Sequence, residues 1–324
     1  MEIQNDLFNY NKRRFKQKQE LTNLEVEPRS LENEKSKFLV VLCQFIDSVD
    51  FGKEDDIEIG RPKKDIHDLI KSLCVMAYNG MSYRRANSDF NDLFEKKLIN
   101  HIPTRSTLNR LICSEDTNNI ISRLIQMSAL LFIDSEDTLI CDSTWLSHHM
   151  YGGGYKIVYD KEHAPLDKCT KLHIGCLKNS KVIACAITTK GTSHDSPIFK
   201  KLVMHTVRNG FFIKNLLADA GYSSKDNYSF CNNLNIKNIF IDFQKRVKFR
   251  SQGKTAWMRQ MKIFKEDQEL WHEKYRFRVV VEGIFSCIKK KHINYLRSRK
   301  SESRENELML KALVYNLTVI GRYF

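Results

Sequence analysis

Apolar residues change their spacing along this chain near residue 138. Upstream they recur at helical intervals. Within 65–78, Ile66, Leu69, Ile70, Leu73, Cys74 and Met76–Ala77 fall on one side, the pattern of an amphipathic helix. Asn79–Gly80 ends it, Ser82 can cap a second helix over 83–94, and Pro103 or Thr104 opens a third through Arg110. A further helix is predicted over about 118–132, while 38–48 reads as an apolar helix or strand and 52–64 as a loop. Downstream come short apolar or β-branched runs at 138–143, 171–177, 182–188, 213–218 and 236–243. Helices fit between them at about 196–208 and 223–234, and after them at 254–272, 275–291 and 304–320. Three strands, a helix, a strand, a helix and a strand predict an α/β fold, a mixed sheet flanked by helices, with an N-terminal all-helical domain. The division expected is a polar arm at 1–37, a helical domain at 38–135 and a sheet-containing domain at 136–324.

Composition narrows the class. With 324 residues, 42% hydrophobic, 13 Gly and 5 Pro, the chain can bury a sizeable core and is not a low-complexity sequence. The apolar run at 38–45 is far shorter than the ~20 residues of a membrane span, and the first residues lack a signal-peptide core. Nine cysteines without a CxxC pair read as reduced thiols, so the expected compartment is cytoplasmic, beside the nucleoid, with no membrane partner. The net charge of +14 is uneven. Residues 1–140 hold 20 basic and 23 acidic side chains, a net −3, whereas 141–324 hold 33 and 16, a net +17. Residues 243–300 alone hold 17 and 5. Such a block reads either as a footprint for a polyanion such as DNA or as a solvated basic surface, and charge alone does not decide.

Three acids stand in apolar company. Asp142 follows Leu139-Ile140-Cys141, and Asp219 follows Leu216-Leu217-Ala218 just before Ala220-Gly221. A carboxylate at the end of such a strand lies where open α/β sheets form their crevice. Glu282 lies within 275–291. If that segment is one helix, Tyr275, Arg278, Glu282 and Lys289 share an arc of about 60° beside an apolar stripe of Val280, Val281, Ile284, Phe285 and Ile288. Glu282 reads on its own as an i, i+4 salt bridge to Arg278, which leaves the strand acids unexplained. Three converging carboxylates make a hard, oxygen-rich site suited to Mg²⁺ or Mn²⁺, and two such ions can serve phosphoryl transfer. The helix bearing Arg105, Asn109 and Arg110 reads as a helix-turn-helix-like DNA reader or as part of an ordinary helical bundle.

Other features read more plainly. His148, His149 and His194-Asp195 read as surface or supporting groups near the acids more than as metal ligands. Gly152–Gly154 lacks phosphate-loop spacing and reads as a turn. Trp257 and Trp271 read as helix packing more than as base-stacking groups.

The sequence Tyr275-x₂-Arg278-x₃-Glu282-x₆-Lys289, with Asp142 in ICDST and Asp219 in LADAGYSS, resembles the DDE transposases of bacterial and archaeal insertion sequences. The step Gly191-Thr-Ser-His194-Asp195-Ser196 also looks like a segment of that family. The resemblance implies an RNase H-like catalytic domain in which Asp142, Asp219 and Glu282 are catalytic and bind two Mg²⁺ or Mn²⁺ ions. It implies endonucleolytic cleavage at transposon ends and transfer of the 3′-OH into target DNA, with Tyr275, Arg278 and Lys289 on phosphates. The partners it implies are terminal inverted repeats, target DNA and a second copy of the chain on paired ends. Only 62 residues separate Asp219 from Glu282, so any insertion there is small. The competing expectations are an RNase H-like nuclease or resolvase without strand transfer, and a non-catalytic DNA-binding regulator derived from a transposase.

Overall fold

The computed structural model describes residues 33–52, 64–148, 168–243 and 255–323. Five helices come first: α1 (Glu34–Asp47), α2 (Ile66–Tyr78), α3 (Asn87–Glu95), α4 (Arg105–Ile112) and α5 (Glu115–Ala129). Asp65 and Thr104 cap α2 and α4 by accepting from the N–H groups of His67 and Thr107, which satisfies donors that a helix start leaves open. Ser82 does not start a helix; residues 83–86 form a turn and α3 begins at Asn87. The ambiguous segment around 38–48 is helical, with Phe38, Val41, Leu42, Phe45 and Ile46 buried.

Five strands follow as one sheet: β1 (Thr138–Ser147), β2 (Cys169–Leu177), β3 (Ile183–Lys190), β4 (Asn215–Ala218) and β5 (Asn238–Ile241). Their order is β3-β2-β1-β4-β5. The β1–β2 and β2–β3 pairs are antiparallel, while β1–β4 and β4–β5 are parallel. This is the mixed, RNase H-like sheet expected, flanked by helices. Helices α6 (Ser196–Arg208) and α7 (Lys225–Asn233) make the two parallel crossovers.

The closing helices are α8 (Ala256–Glu266), α9 (Gln268–Tyr275), α10 (Val279–Lys291) and α11 (Ser301–Ile320). The single helix expected over 254–272 is broken at Asp267, whose carboxylate accepts from the Leu270 N–H at 2.9 Å. A short acid that caps a new helix competes with continuation of the old one. Trp271 is buried against Phe240, Phe243 and Phe264, and Trp257 meets Phe243 edge-on, so both tryptophans pack.

Helix α11 is buried nearly all round and joins the two parts of the chain. Asn316 pairs with the backbone of Ile183 in β3 and with Ser128 in α5, while Asn306 donates to the carbonyls of Ile112 and Ser114. The buried apolar cluster therefore runs without interruption from Phe38 to Ile320. One contact across this joint is unusually close. Gly80 (φ +58°) lies so near Ile293 that a Cβ there would meet Cδ1 at 2.6 Å. Ile293 itself has φ 67°, a conformation costing a β-branched residue on the order of 1–3 kcal/mol. Among the described residues no helix is long and apolar enough to cross a membrane.

Candidate active site

Strand pairing alone brings two acids together. In the parallel β1–β4 register Cys141 stands opposite Ala218, so Asp142 and Asp219 are the next residues on neighbouring strands. β1 is also the strand where pairing changes from parallel on one side to antiparallel on the other. Crevices at such ends of mixed sheets are where ligands bind in α/β folds.

Asp142 accepts from the Ser143 N–H at 2.7 Å and from Arg278 Nη1 at 2.6 Å. Burial nevertheless pushes its carboxyl up to about 6, opposed by those two donors and reinforced by the neighbouring charges of Asp219 and Asp195. Arg278 Nη2 donates to Glu282 Oε1 at 2.6 Å, so one guanidinium joins the strand acid to the helix acid. Burial works against the charge on Arg278, but Asp142, Tyr275, Asp219 and Glu282 outweigh it and hold the group firmly cationic.

The spacing of Tyr275, Arg278 and Glu282 brings them together by a different route from the one expected. The segment is not one helix: α9 ends at Tyr275, Arg276–Arg278 form a 3₁₀ turn, and α10 begins at Val279. The tightened turn at Arg276–Arg278 sends Arg278 towards β1. The buried stripe of Val281, Ile284, Phe285 and Ile288 is as the periodicity predicts. Tyr275 lies under Arg278, with the guanidinium 5.9 Å from the ring centre. Lys289 lies in the last turn of α10, a helix length away.

A second cluster was not legible as a site. Asp195, at the start of α6, accepts from Ser143 Oγ at 2.8 Å and Lys171 Nζ at 2.6 Å, with His173 Nδ1 at 3.3 Å. Lys171 and His173 are buried and lie two residues apart on β2. Burial raises the Asp195 carboxyl, but the hydrogen bonds from His173, Lys171 and Ser143 outweigh it and hold it at about 2. A Cβ on Gly221 would meet Asp195 Oδ2 at 2.9 Å, so that glycine lets the carboxylate approach the turn after Asp219. A lysine and a histidine at i and i+2 of a mostly apolar strand were the available signal. His148 bonds Thr170 Oγ1 at 3.0 Å, while His149 and Gly152–Gly154 lie outside the described residues.

As ligands for a divalent ion, Asp142 and Asp219 supply hard oxygen donors on adjacent strands. Burial raises the Asp142 carboxyl and the charges of Asp219 and Asp195 add to the rise, so a further positive charge beside it would be favoured. Glu282 is turned to Arg278 with its side chain 55% exposed. Among the described residues no three His, Cys, Asp or Glu stand close enough together to hold a metal. Asp142 and Asp219 offer such an ion hard oxygen donors side by side, and Arg278 engages both Asp142 and Glu282.

Arg105, Asn109 and Arg110 are exposed on α4, away from this cluster. The connections at 79–86 and 96–104 are longer than the roughly 3–4-residue turn of a helix-turn-helix motif.

A family model described as transposase DDE domain matches residues 130–317, more than half of the chain. No curated protein is significantly similar to it. Among solved structures, a cryo-EM structure of the piggyBac transposase synaptic complex with hairpin DNA aligns over 88% of this chain and 71% of that one, at 11% identity and a TM-score of 0.41. The Drosophila P element transposase strand transfer complex aligns over 78% of this chain and 64% of that one, at 13% identity and a TM-score of 0.32.

Proposed function

The chain belongs to the transposase DDE domain family, and on that premise we propose that it cuts DNA at transposon ends in a divalent-metal-dependent reaction and joins the freed 3′-OH to target DNA. The observation that carries this reading is the side-by-side placement of Asp142 and Asp219, with Arg278 joining Asp142 to Glu282. Asp142, Asp219 and Glu282 would hold two Mg²⁺ or Mn²⁺ ions, which supply Lewis acidity for activating water or a 3′-OH and for stabilising the leaving oxygen. The protein's part is to orient the DNA strand. Arg278 has the planar fork that suits a phosphodiester, Tyr275 supports its guanidinium from below, and Lys289 supplies a further cation along α10. Arg105, Asn109 and Arg110 contact DNA from the helical region. Terminal inverted repeats are the substrate, and two copies act on paired ends beside the nucleoid.

The test is cleavage and joining of DNA carrying the repeats that flank the coding sequence. Asp142→Asn, Asp219→Asn and Glu282→Gln are each expected to reduce Mg²⁺- or Mn²⁺-dependent cleavage by about 10³-fold or more while DNA binding persists. Full activity in any of the three overturns the assignment. Cleavage by the unaltered chain without joining to a second duplex identifies a nuclease instead.

A further inference from the structure

Where the helical region meets the segment after α10, the chain encloses a cleft of about 360 Å³. Its lining includes the apolar Met81, Ile112 and Leu310. Four cations, Arg105, Arg297, Arg299 and Lys300, also line it together with Asn109, and all five are exposed. Arg105, Arg299 and Lys300 enter no ion pair among the described residues. The hydroxyl of Tyr83, also in the lining, is buried without a hydrogen-bond partner.

The wall carrying these cations is held firmly. Lys311, with its side chain 4% exposed, donates to the carbonyls of Ile293 and Tyr295 at 2.8 and 2.9 Å. Glu307, the acid in the lining, accepts from the N–H groups of Arg297 and Ser298, so its charge is committed to the backbone of the turn. Gly80 admits Ile293 at close range, and Ile293 adopts its left-handed conformation there. The Leu296 N–H donates to the Ser147 carbonyl at 2.8 Å, which ties the same turn to the end of the strand bearing Asp142. Buried groups thus hold in place a turn whose exposed side chains are unpaired cations. Strain of this kind, maintained by surrounding structure, marks sites with a function.

We propose that this cleft is a phosphodiester-binding site that holds the DNA backbone between the helical region and the catalytic helix. The proposal rests on the reading of the chain as a DNA-cleaving transposase and extends its DNA contacts to Arg297, Arg299 and Lys300. Charge complementarity selects the occupant, because unpaired guanidinium and ammonium groups lining one cleft match a run of phosphates. His292, where α10 ends, stands ten residues beyond Glu282, a rise of about 15 Å along a helix. At 3.4 Å per base pair that distance corresponds to about four to five base pairs of duplex, so a strand seated at the catalytic acids reaches the cleft within half a helical turn.

The experiment measures binding of the full chain to a DNA duplex of about 30 base pairs and arbitrary sequence over a range of salt concentrations. Replacing Arg105, Arg299 and Lys300 together by Gln is expected to flatten the slope of log K against log[salt] by about 2–3 units, and Lys300→Gln alone by about one. An unchanged slope and affinity in the triple variant, at unchanged thermal stability, overturns the proposal. Loss of thermal stability with an unchanged slope also overturns it, and assigns the cleft to the chain's own residues. Failure of the transposase reading shows differently: the unaltered chain then binds the duplex with the full slope but does not cut its flanking repeats with Mg²⁺.

Discussion

Asp142 and Asp195 stand in one crevice, both linked to Ser143, and their carboxyls lie at opposite extremes, about 6 and about 2. Burial raises both. The difference lies in what faces them. Asp195 meets a lysine, a histidine and a hydroxyl, all held by the sheet. Asp142 has one backbone donor and one arginine shared with Glu282, and two other acids nearby. One aspartate is saturated with donors and the other is not. A carboxylate left partly uncompensated where β1 runs past the end of β4 is suited to a metal ion; a saturated one is suited to holding strands together. On this reading Asp195 is a positioning residue that ties β1, β2 and the turn after Asp219 around the reacting acids.

The largest expected effect separates these roles. Asp195→Asn removes the partner of buried Lys171 and is expected to cost about 3 kcal/mol of stability, read from chemical denaturation. Asp142→Asn is expected to change stability by no more than about 1 kcal/mol, because the burial cost it relieves offsets the lost bond to Arg278. Equal losses of stability in the two variants would erase the distinction.

The pH dependence of the metal-free chain sharpens it. The Asp142 carboxyl is raised above its unfolded value of about 3.9, so the folded state holds its proton longer and loses stability as pH rises from about 4 to 6. The shift corresponds to about 2–3 kcal/mol. Asp195 is lowered, so its contribution is complete above about 4 and is lost as pH falls towards 2. Denaturation midpoints of the metal-free chain are therefore expected to fall between pH 4 and 6, and that fall is expected to be smaller in Asp142→Asn, where Glu136 and Glu305, whose carboxyls burial also raises, still titrate. A fall of the same size in the variant assigns the titration to another group.

Gly221→Ala is the smallest of these perturbations. The added Cβ presses on a carboxylate that three partners hold in place, and about 1–2 kcal/mol of destabilisation is expected. Combining Gly221→Ala with Asp195→Asn is expected to cost less than the two single changes added together, because the pinned group is gone.

Much of this was legible in the sequence, for local reasons. Runs such as 171–177 and 182–188 are shorter than a typical helix and rich in apolar or β-branched residues, which favours strands, and the helical stripe of α10 follows from its period. Asp142 and Asp219 were legible because each follows an apolar run directly. Lys171 and His173 were passed over because their meaning depends on Asp195, which follows them by 24 and 22 residues and comes from another element. The breaks at Asp267 and at Arg276–Arg278 were missed because a 100° wheel assumes an unbroken helix.

The sequence by itself determined the elements, the strand acids and the family signature, since periodicity and short-range spacing are properties of the chain alone. Tertiary structure decided which charges meet. Arg278 reaches Asp142 across 136 residues, Asp195 gathers donors from two strands, and Arg105 faces Arg299 and Lys300 across a cleft. The free energy of a charge depends on its burial and on the charges within a few ångströms, and only the folded chain sets those distances.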